Sequence, residues 1–114
     1  MLDGFYALFY TGKVSSGFAM IVLINGIVTG ADVSGGLYDG KFTLNADERT
    51  VEGTMKLTTP PGVSLVTGAP ASPQASTQEF PFSFPADLNE QIVQVQTPTG
   101  PVNLKFRKIR GFPS

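Results

Sequence analysis

Few residues of this chain have side chains that could carry out chemistry, because the sequence contains no cysteine and no histidine. Thiolate nucleophiles, imidazole bases and nearly all zinc or iron sites are thereby excluded, so a metal could be held only by carboxylates. A general base or nucleophile would have to be Asp, Glu, Lys, Tyr or Ser, and no pair of these forms a recognisable coupled site. Asp32, near the end of the third predicted strand, is the one carboxylate considered as a candidate catalytic group. We therefore expect neither an enzyme nor a cofactor.

A second feature of chemical interest is the acidic pair Asp47 and Glu48, in a predicted turn at residues 45–49. The pair would offer negative charge to a protein partner. Asp and Asn in turns also hydrogen-bond to their own backbone, and this local role is the favoured interpretation.

Half of the basic residues lie near the C-terminus, at Lys105, Arg107, Lys108 and Arg110. Strand alternation places Lys105 and Arg107 on the opposite face from Lys108, so a solvated edge is favoured over a phosphate-binding surface. The formal net charge of −1 also argues against a nucleic-acid partner.

The sequence offers no membrane or export signal that we recognise. It begins MLDG, without the basic region and cleavage site of a signal peptide. The longest apolar stretch, residues 17–28, is shorter than the roughly 20 residues of a membrane-spanning helix. We expect a cytoplasmic protein without a membrane partner.

Period-two alternation of apolar and polar residues recurs along the chain, and no segment of about 11 or more residues has helical spacing. This pattern predicts an all-β fold in which eight antiparallel strands form an up-and-down, lipocalin-like small barrel, a single domain over residues 1–114. Asn25-Gly26 between two β-branched runs predicts a hairpin. In the fifth strand, Val51, Met55 and Leu57 should face the core. The predicted strands cover residues 4–11, 18–25, a segment from 27, 37–45, 51–58, 79–84, 91–97 and 102–109.

Aromatic residues are expected inside this barrel. The inward positions Phe42, Phe80, Phe82, Phe84 and Phe106 could line a cavity for an apolar small molecule. Eight strands enclose little more than their own side chains, so an interior filled by these rings is favoured over an open cavity.

Two segments interrupt the alternation. Residues 60–77 combine four prolines with no charge and predict a long loop, whose Val63, Leu65 and Val66 should fold back over one end of the barrel or offer a binding surface. Pro81 cannot donate a hydrogen bond to a central ladder, so the seam or the poorest pairing of the barrel is expected beside it.

The first strand is apolar on both faces. Tyr6, Leu8 and Tyr10 share one face and predict an exposed apolar patch that a second copy of the chain could cover. This pattern favours a homodimer.

Several short motifs occur in a characteristic order: Asp3-Gly4-Phe5-Tyr6, Gly17, Asn25-Gly26, Gly30-Ala31-Asp32, Tyr38-Asp39-Gly40, the turn at 45–49, Pro61-Gly62-Val63-Ser64 and Phe106-Arg107-Lys108-Ile109. This order resembles that of the GrlR-type negative regulators of type III secretion, which are small lipocalin-like barrels. The resemblance implies a regulatory protein that contacts a protein partner, such as a transcriptional regulator, through the turn between the fourth and fifth strands. That turn carries four consecutive acidic residues in the family, whereas Ala46 and Arg49 flank the two acids here.

Three functional hypotheses follow. The leading one is a regulatory binding module that acts through its loops and an exposed sheet face. The second is a carrier or sensor of an apolar small molecule held in the barrel, and the third is a carboxylate-based enzyme. An open apolar cavity of a few hundred cubic ångströms would favour the second hypothesis.

Overall fold

The computed structural model describes residues 2–47, 49–87 and 91–113. All regular structure in these ranges is β, and no helix is present in them. The eight strands are β1 (Gly4–Thr11), β2 (Ser16–Ile24), β3 (Ile27–Asp32), β4 (Leu37–Leu44), β5 (Thr50–Thr59), β6 (Ser76–Pro85), β7 (Ile92–Thr97) and β8 (Gly100–Arg110). The predicted all-β fold is confirmed, and within the described ranges no helix is long and apolar enough to cross a membrane.

The strands form one antiparallel sheet in the order β6-β5-β4-β3-β2-β1-β8-β7. Each strand pairs with its neighbour in sequence, except that β8 closes onto β1 and β7 does not pair with β6. The sheet therefore curls into a nearly closed barrel whose seam lies between β6 and β7. Pro81 is in β6, at this seam, as its missing N–H group predicts.

Turn chemistry and alternation both fix the register. Asn25 and Gly26 have positive φ values of 50° and 79°, as a type I′ hairpin requires. In β5, Val51 is buried while Glu52 and Lys56 are exposed, which confirms the predicted orientation of this strand.

The orientation of β1 differs from expectation. Tyr6 and Leu8 pair with Ile21 and Ala19, both of which are buried. Tyr6 is itself only 3% exposed and Leu8 only 4%. The face carrying Tyr6, Leu8 and Tyr10 is therefore the inner one, and the prediction that it forms an exposed dimer face is wrong.

Both ends of the barrel carry loops, and they differ in kind. One end has the hairpin at Asn25-Gly26 and the turn between β4 and β5. The other end has the loops after β1, β3, β5 and β7, among them the long segment from Pro60 to the start of β6. The candidate site lies at this second end.

Candidate functional site

The barrel encloses an apolar cavity of about 300 Å³ that reaches the end covered by the long loop. The expectation of a filled interior is therefore wrong. Phe42, Phe80, Phe82, Phe84 and Phe106 all lie in the cavity wall, together with aliphatic residues such as Leu57 and Val95. The space is comparable to the smaller pockets that hold drug-sized ligands.

Glycines at inward positions explain why the interior is open. Gly30 is opposite Tyr38, Gly40 is opposite Met55, and Gly53 is opposite Phe42 and Phe82. None of these glycines contributes a side chain to the interior, so each of these inward rows lacks one side chain beside its aromatic or long neighbours. A Cβ atom added at any of the three would overlap backbone of the adjacent strand, which shows how tightly the strands bend there.

Aromatic rings form the floor of the cavity. Phe82 and Phe84 stack with their centroids 4.9 Å apart, and Phe84 meets Phe106 edge-on at 5.3 Å. Below them, Tyr6 contacts Phe106 at 6.2 Å and donates a hydrogen bond of 2.6 Å to the carbonyl oxygen of Leu2. The barrel is thus solid at the end of the Asn25-Gly26 hairpin and hollow at the other.

The long loop forms the cover of the hollow end. Val63, Leu65 and Val66 lie in the cavity wall. The loop is tied down where the N–H group of Val14 donates to the carbonyl oxygen of Val66 at 3.0 Å. A hydroxyl contact of 3.0 Å between Thr67 and Thr99 ties it to the β7–β8 turn. These few polar contacts hold the cover over the cavity.

Asp32 lies at the covered end, in the cavity wall, and is the centre of a polar cluster. Its Oδ1 atom accepts hydrogen bonds from the backbone N–H groups of Ser34 (3.0 Å) and Gly36 (2.8 Å). Its Oδ2 atom accepts from the hydroxyls of Tyr10 (3.1 Å) and Tyr38 (2.9 Å). Asp32 was identified from the sequence, but its two tyrosine partners were not. Tyr10 was assigned to an outer face, and the approach of both tyrosines to Asp32 depends on how different strands pair.

Both tyrosines are held in the neutral form. Burial raises the pKa of Tyr38 far above its ordinary value, and the neighbouring Tyr10 hydroxyl and the charge of Asp32 raise it further. Burial also raises the pKa of Tyr10, an effect that the neighbouring Tyr38 hydroxyl opposes in part. The phenols therefore remain O–H donors to the carboxylate at any ordinary pH.

Gly17 permits this arrangement. It pairs with Tyr10 across β1 and β2, and a Cβ atom at Gly17 would overlap the ring and hydroxyl of Tyr10. The Tyr10 ring thus lies directly over the Gly17 backbone, a position from which its hydroxyl reaches Asp32. The glycine at the start of this strand is visible in the sequence. Only the pairing of β1 with β2 shows that the Tyr10 ring requires it.

The acidic turn lies at the opposite end of the barrel from this cluster. Asp47 accepts a hydrogen bond of 3.0 Å from the backbone N–H of Arg49, and Asn45 accepts one of 3.1 Å from that of Thr50. These bonds are the local turn role favoured for Asp47. Glu48 lies outside the described residues.

Exposed apolar side chains occupy the outer face of β1 to β4. Phe9 (41% exposed), Met20 (39%) and Leu37 (49%) all point away from the core. Met20 pairs with Ala7 on one side and Ala31 on the other, and Ala31 pairs with Leu37, which makes the row continuous across the sheet. We refer to Phe9, Phe18, Met20, Ala31 and Leu37 as the outer apolar face; Ala7, which continues the row in β1, is only 4% exposed.

No group of three or more Asp and Glu residues within the described ranges is arranged to hold a metal ion. Among the cavity-lining residues that the structure describes, Asp32 is the only one with a charge. The chemistry available at the site is therefore apolar contact along the walls, hydrogen bonding at the Asp32 cluster, and hydrogen bonding to Ser, Thr and Gln side chains of the lining such as Ser16, Ser34 and Gln78.

No protein-family model matches this chain, and no curated protein matches it either. The resemblance to GrlR-type regulators accordingly remains a hypothesis drawn from the short motifs.

Proposed function

We propose that this protein binds a small, largely apolar molecule inside its barrel, as a carrier or sensor. The observation that carries the proposal is the cavity of about 300 Å³, walled by phenylalanine and aliphatic side chains and covered by the long loop. At roughly 30 Å³ for each water-sized group, this volume accommodates about ten non-hydrogen atoms. Burial of the apolar surface of such a ligand provides favourable binding free energy. Binding of this kind requires no catalytic group.

The methionines provide a direct test of binding. Met55 lines the cavity, whereas Met20 lies on the outer apolar face. In protein labelled with ¹³C at the methionine methyl groups, apolar compounds of eight to ten carbons should shift the Met55 signal in a saturable way and leave Met20 unmoved. Shifts of both signals together would indicate non-specific association, and no shift of Met55 with any compound would refute the proposal.

A cavity-filling variant sharpens the test. Leu57 lies in the cavity wall, and the next outward residue in the same strand is Lys56, which is exposed. Leu57→Phe should place a larger side chain in the cavity and weaken binding at least tenfold, while Lys56→Phe adds the same ring outside and should leave affinity unchanged.

A second proposal concerns contact with another copy of the chain. The outer apolar face supports it, because contiguous exposed apolar patches on soluble proteins commonly mark interfaces. This face carries no charge among its five residues, so an identical face is a suitable partner in a two-fold dimer. The resemblance to GrlR-type regulators implies a regulatory role with a protein partner. That role is a separate hypothesis, which dimerisation would neither support nor contradict.

A further inference from the structure

The polar end of the cavity places a chemical restriction on what can occupy it. A carboxylate has about four acceptor positions, and Asp32 already accepts four hydrogen bonds, from Ser34, Gly36, Tyr10 and Tyr38. Its acceptor capacity is therefore used within the protein. A ligand would meet the phenol oxygens instead.

The phenols can offer a ligand only lone pairs. Each tyrosine hydroxyl has one proton, and both protons are donated to Oδ2 of Asp32. Each phenol oxygen retains lone pairs that can accept a hydrogen bond. A ligand that hydrogen-bonds to these two phenols must consequently bring the hydrogen itself.

Charge leads to the same conclusion. Asp32 is the only charged residue among the described residues that line the cavity. A carboxylate head group beside it would meet a like charge in a partly buried site where water screens poorly, with no lining cation to offset the repulsion. A neutral head is free of this penalty, and a cationic head is attracted.

We propose that the cavity selects amphiphiles whose head group donates hydrogen bonds and carries no negative charge, namely alcohols and amines, and that it discriminates against carboxylates such as fatty acids. The alkyl part lies along the phenylalanine wall, and the head group donates to the oxygens of Tyr10 and Tyr38. This inference rests on the proposed function, since it names the chemical class of the molecule bound at the same site.

A matched series tests the head group alone. Octan-1-ol, octylamine and octanoate each have eight carbons in an unbranched chain and contain nine or ten non-hydrogen atoms, close to the size that the cavity accommodates. Each is titrated near neutral pH into the full chain labelled at the methionine methyl groups, with Met55 as the cavity signal and Met20 as the control. The alcohol and the amine should bind at least tenfold more tightly than octanoate, a difference of about 1.4 kcal/mol.

The outcomes distinguish this inference from the function on which it rests. Octanoate binding as tightly as the other two, or more tightly, would overturn the inference while leaving an apolar-ligand function standing. Failure of all three to move Met55 would overturn both.

Two variants probe the mechanism of selection. In Asp32→Asn the amide oxygen can still accept from Ser34 and Gly36, while the amide NH₂ group donates to the phenols and frees their protons for a ligand. The preference should invert, with octanoate gaining and octylamine losing at least tenfold.

Tyr38→Phe keeps the charge and removes one acceptor, so octan-1-ol should lose affinity while octanoate stays weak. An unchanged ranking in a folded Asp32→Asn protein would contradict the proposal, and the ranking in the unmodified protein decides it even if that variant does not fold.

Discussion

At the scale of single residues, the site depends on two glycines that leave room for the polar side chains of Tyr10 and Asp32. The Tyr10 ring occupies the space where a Gly17 side chain would be, and its hydroxyl lies 3.1 Å from Asp32. Gly36 is equally constrained, because a Cβ atom there would lie 2.6 Å from Oδ2 of Asp32. Two glycines thus define the position of the one charged group in the described cavity wall.

Gly17→Ala should destabilise the protein because its methyl group overlaps the Tyr10 ring. Moving the ring strains the packing and lengthens its bond to Asp32, at a cost of about 1 to 3 kcal/mol. Gly111→Ala is the matched control, since no atom lies within 4 Å of a Cβ atom there, and its effect should stay within about 0.5 kcal/mol. Urea denaturation of the two variants measures the difference, and equal stabilities would show that the ring is not held as described.

Tyr38 should make the protein less stable in alkaline solution. Its pKa is raised in the folded state, chiefly by burial, so its contribution to stability is fully present below the unfolded value of about 10. Above that pH the unfolded chain releases the proton while the folded chain retains it, and the free energy of unfolding falls by up to about 1.4 kcal/mol per pH unit.

Urea denaturation of the unmodified protein and Tyr38→Phe, compared at several pH values from 8 to 11, isolates this effect. The other tyrosines and the lysines are common to both proteins, so the variant should lose less stability above pH 10. Parallel curves would mean that Tyr38 titrates normally.

At the scale of strands, alternation predicted the orientation of those strands in which apolar residues face inward and polar residues face outward. β5 is the clearest example, with Val51 buried and Glu52 exposed. β1 failed on the same principle: both of its faces are apolar, so alternation could not decide between them. Only the pairing of Tyr6 with Ile21 and of Leu8 with Ala19 settles the choice.

The open cavity could not be predicted from alternation either. The inward rings were identified, but whether they fill the barrel depends on which residues stand opposite them. Interior space remains beside Tyr38 and Phe82 because each lies opposite a glycine, Gly30 and Gly53 respectively. The paired residues are on different strands, so alternation within one strand cannot reveal them. The tyrosine partners of Asp32 were missed for the same reason.

Two adjacent substitutions to threonine test the register of β5. Val51→Thr replaces a methyl group with a hydroxyl at a position that is 2% exposed, and burying this hydroxyl should cost about 1 to 3 kcal/mol. Glu52→Thr introduces the same residue at an exposed position of the same strand, where threonine suits a β-strand, and should change stability by less than about 0.5 kcal/mol. Chemical denaturation reports both values, and a larger effect at position 52 would mean that the strand is inverted.

At the scale of the whole molecule, the barrel presents two distinct surfaces that could serve function. The covered cavity lies within the barrel, and the outer apolar face lies on the reverse side of the same strands, β1 to β4. The turn between β4 and β5 is at the opposite end of the barrel from the long loop that covers the cavity. Ligand binding and self-association are thus separable, and each can be tested by a change that spares the other.

The outer apolar face should make the protein dimerise. A standard interface covers about 800 Å² on each partner, a modest part of the 6633 Å² of accessible surface on this chain. Met20→Lys places an ammonium group in the middle of the row formed by Ala7, Ala31 and Leu37, where burying an unpaired charge is costly. Thr54→Lys adds the same charge at an exposed position of β5, outside the outer apolar face, and serves as the matched control.

Sedimentation over a range of concentrations should show a dimer for the unmodified chain and the control. Met20→Lys should be a monomer, or a dimer weakened at least tenfold. A monomeric unmodified chain, or a Met20→Lys protein that dimerises as well as the control, would show that this face is not the contact between copies.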